Sequence, residues 1–178
     1  MEFVAPIESV LRRAAEQRLS HSTQVEIANT ALNYHYAKVK SLIIASYIEP
    51  SKENKECVVR LSDYADKEKE KAEKMLKESF SHHDDAMMDF CLRLDAIDRA
   101  QPITGDSEDT QNLFFNVTAL SIAYKIRFLY LIEKYIDKKK INKDSFINER
   151  VKSIPFYMDL SDENKGKVIE NIKTILSE

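Results

Sequence analysis

An all-α, single-domain helical bundle of about six or seven helices is what this sequence predicts. Three observations lead there. Among 178 residues there are only 2 glycines and 4 prolines, whereas sheets, hairpins and phosphate-cradling loops all consume glycine. Apolar residues recur at steps of three and four along most of the chain. Finally, Leu113–Ile136 reads LFFNVTALSIAYKIRFLYLIEKYI, a helix apolar on nearly every side, and such a helix has to lie inside a protein or a membrane.

The elements follow in order. Pro6 suits the first turn of a helix running to about Leu19. Thr23 with Glu26 forms a capping box for a second helix. That helix carries Val25, Ala28, Leu32, Val39, Leu42, Ile43 and Tyr47 at helical spacing and ends at Ile48, because Glu49 precedes Pro50 and the residue before proline avoids the α region. Ser51 caps a third helix, Lys52 to Ser79, with Val58, Leu61, Ala65, Ala72 and Leu76 as its apolar stripe. Its charged middle, Lys67–Lys74, reads as a solvated face built on acid-before-base pairs four residues apart.

Ser81 with Asp84 opens a fourth helix that buries Met87, Phe90, Cys91, Leu94 and Ile97. Gln101–Ser107 is the clearest loop. Asp106 or Ser107 then caps the central helix, about 108–137, which Lys138–Lys140 close. Shorter helices follow at Asp144–Ile154 and at Asp162–Leu176, the latter capped by Ser161. No repeat or linker divides the chain, so residues 1–178 read as one domain.

Projected at about 100° per residue, the central helix resolves into two apolar faces. Leu113, Val117, Leu120, Tyr124, Phe128, Leu131 and Tyr135 form one; Phe115, Ala119, Ile122, Ile126, Leu129 and Tyr130 form the other. Asn116, Arg127 and Lys134 run between them as a thin polar strip. Lys125 and Arg127 at mid-helix each cost a few kcal/mol in a bilayer, which argues against a membrane span. Two apolar faces require cover from both sides, either from this chain's own helices or from another chain.

Charge excludes some partners and leaves others. The formal net charge is −3, which supplies no global attraction to nucleic acid or anionic lipid. Locally, however, Lys134–Lys143 holds five lysines against Asp137. Helix-dipole capping accounts for such a patch, and contact of Lys138, Lys139, Lys140 and Lys143 with a partner protein or nucleic acid is the functional alternative. Cys57 and Cys91 read as buried, reduced thiols. The opening residues have neither the basic nor the apolar region of a signal peptide, so a cytoplasmic protein is expected.

Residues that carry chemistry are scarce. His82 and His83 beside Asp84 and Asp85 suggest metal ligands, but adjacent histidines on a helix diverge, and a solvated cap is the simpler account. His35 reads as a core histidine satisfied by one hydrogen bond, and His21 as solvated. The acids of Asp84–Asp109 would serve a metal-assisted enzyme only if burial drove their pKa values apart. Within them, Asp98 is placed to form a buried pair with Arg127. No nucleophile motif or phosphate loop is visible, and no cofactor or metal is expected.

The function expected is that of a non-catalytic helical interaction protein: an adaptor, a regulator, an immunity-type inhibitor or an assembly subunit. Its partner would be another protein or a second copy of itself. A nucleic-acid-associated protein using Lys134–Lys143, and a metal-assisted enzyme using Asp84–Asp109, are the alternatives.

Overall fold

The computed structural model describes residues 4–81 and 108–177. Among them are seven α-helices and no strand. They are α1 (Ile7–Glu16), α2 (His21–Ile48), α3 (Lys52–Ser79), α4 (Glu108–Leu131), α5 (Lys143–Val151), α6 (Pro155–Met158) and α7 (Asp162–Leu176), with a π-helical turn, Ile132–Ile136, extending α4. Residues 82–107, which hold His82, His83, Asp84, Asp85, Cys91 and Asp98, lie outside the described residues.

In α1, Ile7, Val10, Leu11 and Ala14 are buried at i, i+3, i+4 and i+7, one apolar stripe of an amphipathic helix. Pro6 occupies the N-cap position itself rather than the first turn, and its own side chain caps nothing. The cap comes from α3 instead: the Ile7 N–H donates to Glu68 Oε2 at 2.8 Å. Glu68 is only 1% exposed, so the charged run of α3 is not uniformly a solvated face. One of its acids has been turned inward to satisfy a helix N-terminus.

Helix α1 closes with Leu19 N–H donating to Ala14 O and Arg18 N–H to Ala15 O, the paired bonds of a Schellman ending. That ending needs a left-handed residue, and Arg18 takes it at φ 56°. In a chain this poor in glycine, a charged residue carries the conformation at a small steric cost.

Helix α2 begins at His21, not Thr23. Ser20 is the N-cap, and its Oγ accepts from the Thr23 N–H at 3.3 Å. Both residues are good cap formers, and the earlier one gains an extra turn of helix. Glu26 is thereby left to bind elsewhere. Ser51 and Ser161 cap α3 and α7 as the sequence implies, each accepting from the N–H three residues on.

Helix α4 is the axle. It packs most extensively on α2 and, next, on α7. Tyr124 and Phe128 from one of its faces, and Ala119 and Ile126 from the other, are all buried. Both apolar faces therefore find cover within the chain. The segment Glu108–Ile136 is long and apolar enough to cross a membrane by length and composition; in this fold 67% of its most apolar window is buried. Of the polar strip, Asn116 and Lys134 are exposed while Arg127 is buried.

Two later elements differ from the sequence reading. The helix placed at Asp144–Ile154 runs from Lys143 to Val151, because the Asn142 side chain caps it by accepting from the Ser145 N–H at 3.0 Å. Ile154 instead caps the short α6, with Pro155 at its first position, where proline's missing N–H costs nothing.

Candidate functional site: a basic helix end and a lysine-lined cleft

Three lysines, Lys138 to Lys140, follow α4 directly, and its ending sets their positions. The Asp137 N–H donates to Ile132 O at 3.0 Å, one residue wider than an α-helical bond, and Lys139 N–H reaches Glu133 O at 2.9 Å. This π-turn brings Ile132 and Ile136 to the buried side together. Lys138 then turns the chain in the left-handed region at φ 54°. Lys138, Lys139, Lys140 and Lys143 are all exposed.

Two acids of this region, Glu133 and Asp137, are already engaged, while Asp144 stands exposed in the first turn of α5. Glu133 accepts from Arg150 at 2.8 Å and lies 3.6 Å from Lys139 Nζ. Asp137 accepts from Arg13 of α1 at 2.5 Å. The segment Lys134–Lys143 itself contains no arginine; folding brings two beside it, Arg13 from α1 and Arg150 from α5. Tyr130 is held between two cations, with Lys134 Nζ 5.6 Å and Lys143 Nζ 5.7 Å from its ring centre, within cation–π range. Partial desolvation, the largest influence on Lys134, opposes its charge; Tyr130 and Tyr135 outweigh it and hold the ammonium above the usual lysine value.

A cleft of about 300 Å³ lies between α2, α4 and the start of α6. Lys38 of α2 and Lys125 of α4 both line it, together with Tyr34, Ser41, Thr118 and Ser121. Leu42, Ile122, Ile154, Pro155 and Phe156 supply its apolar lining. Ser41 Oγ and Thr118 Oγ1 are hydrogen-bonded at 2.8 Å across the α2–α4 interface. The sequence signal for this site is a stripe at helical spacing on each helix, Tyr34, Lys38 and Ser41 on one and Thr118, Ser121 and Lys125 on the other. Which two stripes face each other is settled only by how the helices dock.

Arg127 pairs with α2. Its Nη1 donates to Thr30 Oγ1 at 2.9 Å and its Nη2 to the Glu26 carboxylate, while Asp98, the partner suggested by sequence, is outside the described residues. The ion pair is a clamp between α2 and α4, its guanidinium side chain 10% exposed. Buried charge of this kind has to be paired to be tolerated.

Of the histidines, His35 is buried as expected, but its Nε2 has no hydrogen-bond partner. Its ring meets Tyr34 at 5.4 Å and Tyr64 at 5.2 Å. Burial, with a smaller effect from Lys38, lowers its pKa from 6.5 to about 4. His21 is not simply solvated: half-buried, it sets its ring edge-on to Phe80 at 4.7 Å. Cys57 is half-buried rather than buried, with Arg60 donating to its Sγ at 3.3 Å. Of the acids proposed for a metal-assisted enzyme, only Glu108 and Asp109 are among the described residues. They sit exposed in the first turn of α4, where acids complement the helix dipole. Comparison of the chain with protein-family models, curated proteins and solved structures finds no match.

Proposed function

We infer that this protein is a non-catalytic helical interaction protein that engages an acidic face of a partner protein through the basic end of α4. One observation carries this reading. Glu133 and Asp137 are engaged with Arg150, Lys139 and Arg13, while Lys138, Lys140 and Lys143 stand exposed beside them. A local cationic surface on a chain of net charge −3 orients an approaching acidic partner and raises its association rate.

Nucleic acid is the alternative for the same lysines. The rings nearby favour protein. Tyr130 is 6% exposed and lies between Lys134 and Lys143, so it offers no open face for the base stacking that single-strand binders use. Tyr135 is half-buried with Lys134 Nζ 5.0 Å from its ring centre, so nucleic acid would depend chiefly on phosphate contacts.

Capture from the native cell separates the two readings. The wild-type chain is expected to retain a protein after nuclease treatment, and the triple variant Lys138→Glu, Lys140→Glu, Lys143→Glu to lose it. A control with Lys52→Glu and Lys55→Glu, on the far part of α3, retains it. Retention by the triple variant, or no retained protein at all, overturns the assignment. Loss on nuclease treatment transfers it to nucleic acid.

A further inference from the structure

We propose, on the reading of the basic end of α4 as a partner surface, that this end is ordered in advance to meet a folded acidic face, and that Glu133 and Asp137 are the residues that position it. Both acids stand where helix physics disfavours them, at the negative end of the α4 dipole. Asp144, in the first turn of α5, shows the ordinary placement of a carboxylate, at a positive end. Glu133 and Asp137 also cancel part of the charge that would attract an acidic partner. Charge alone gives no reason for either.

What the two acids supply is attachment to other elements. Arg13 of α1 donates to Asp137 at 2.5 Å, and Arg150 of α5 donates to Glu133 at 2.8 Å. Between them lies the π-turn, a distortion that helices commonly carry at functional positions. Just beyond it Lys138 takes φ 54°, a conformation that costs any residue with a side chain and has to be held by its surroundings. Three contacts hold it: Lys139 N–H donates to Glu133 O at 2.9 Å, Asp137 is fastened to α1, and Ile141 packs against the main core. The backbone that carries Lys138 and Lys140 is therefore fixed on both sides. A surface ordered in this way binds with little further ordering cost on its own side. The saving is complete only for a partner whose carboxylates are also fixed, such as one face of an acidic helix. A flexible acidic segment has its own ordering cost and adapts to any cationic surface.

Two synthetic peptides with glutamates at every fourth position test this on the full chain, one helical with alanine spacers, the other flexible with glycine and serine spacers. The wild type should bind the helical peptide more tightly. Asp137→Asn makes the surface more positive, so charge alone predicts tighter binding of both peptides. Positioning predicts the opposite sign for the helical peptide, about tenfold weaker binding, the scale of reordering one or two side chains. The flexible peptide should bind this variant no more weakly than the wild type. Asp137→Glu, which keeps the charge that pairs with Arg13, should bind the helical peptide like the wild type. The Lys139 amide should exchange faster in Asp137→Asn while the urea midpoint hardly moves, because exposed pairs of this kind add little stability. Arg13→Gln breaks the same tether from α1 and should give the same exchange, which serves if Asp137→Asn does not fold. The proposal is overturned if Asp137→Asn binds the helical peptide as tightly as the wild type or more so. It also fails if Asp137→Glu is as weak as Asp137→Asn, or if the wild type does not distinguish the peptides. If the wild type binds neither peptide, or the triple variant Lys138→Glu, Lys140→Glu, Lys143→Glu binds like the wild type, the partner-surface reading itself fails and the positioning role falls with it.

Discussion

The two halves of α3 carry one stripe and two fates. Val58, Leu61, Ala65, Glu68, Ala72 and Leu76 follow one another at steps of three and four along the helix. In the first half, Lys52 to Tyr64, no residue is buried although Cys57, Val58, Val59 and Leu61 lie there; in the second, Ala65, Glu68, Ala72 and Leu76 are all buried. Composition alone would rank the halves the other way, because the second contains KEKEKAEK. What differs is the neighbour. Helix α1 lies against the second half, where its N-terminus takes up Glu68 and its apolar stripe joins Ala72 and Leu76 in the main core. Burial is conferred by what docks on a face, and apolar content only makes that docking favourable.

The largest effect expected from this contrast is at Leu76, 1% exposed. Leu76→Ala should cost about 3 kcal/mol in urea unfolding, within the usual range for a buried leucine. The same truncation at half-buried Leu61 should cost about 1 kcal/mol, since only part of the transfer and cavity terms is lost. Equal losses at the two sites would break the comparison.

His35 sits opposite Tyr64, where the halves meet, and gives the contrast a pH signature. Its pKa falls from 6.5 to about 4 because burial disfavours the imidazolium. The folded chain therefore takes up this proton only near pH 4, whereas the unfolded chain takes it up near 6.5. The stability gained by keeping His35 neutral is complete above pH 6.5 and is lost as pH falls toward 4, by up to about 3 kcal/mol. His35→Leu should flatten that part of the stability curve, measured as the difference in unfolding midpoint between the two proteins from pH 7 to pH 4. Parallel curves would place the imidazole in water.

Glu68 ranks next. Glu68→Ala leaves the Ile7 N–H without its acceptor and should cost about 2 kcal/mol, the scale of a lost charged cap in a buried setting. Glu68→Gln, which retains an acceptor oxygen, should cost less. If instead the two substitutions cost the same few tenths of a kcal/mol as changes at the exposed Glu70, the inward turn of this carboxylate carries no weight.

Much of this fold is legible in the sequence because it rests on local rules. The ends of α3 and α7 follow from Ser51, Ser161 and the spacing of apolar residues, and α4 from a run of apolar residues with few alternatives. Glu68 is hidden because charge pairing at four-residue steps explains it equally well as a surface residue. Arg127 is hidden because Glu26 is 101 residues away in sequence, and only the docking of α2 on α4 brings them together. The cleft is hidden for the same reason. Lys125 reads in sequence as a charge that keeps α4 out of a membrane, and its company with Lys38 and Ser41 exists only after packing. The basic end is the intermediate case: its lysines are plain in sequence, while the arginines that occupy its acids come from α1 and α5.

The smallest effect is expected at Val59, which is 60% exposed on α3, and it is the sharpest test of the contrast between the halves. Val59 is a β-branched apolar residue beside Val58 on the same helix, so a scale built on residue type would give both a similar cost on mutation. Position argues otherwise. Val59 is off the stripe that runs from Val58 to Leu76, and exposed substitutions away from caps and buried partners usually shift stability by less than about 0.5 kcal/mol. Val59→Ser should fall within that range in urea unfolding, while Val58→Ser, on the stripe, should cost about 1 kcal/mol through lost burial. If Val59→Ser proved the costlier of the two, the outward side of α3 would be covered in solution, and the first half of the helix would have to be reassigned from a surface to an interface.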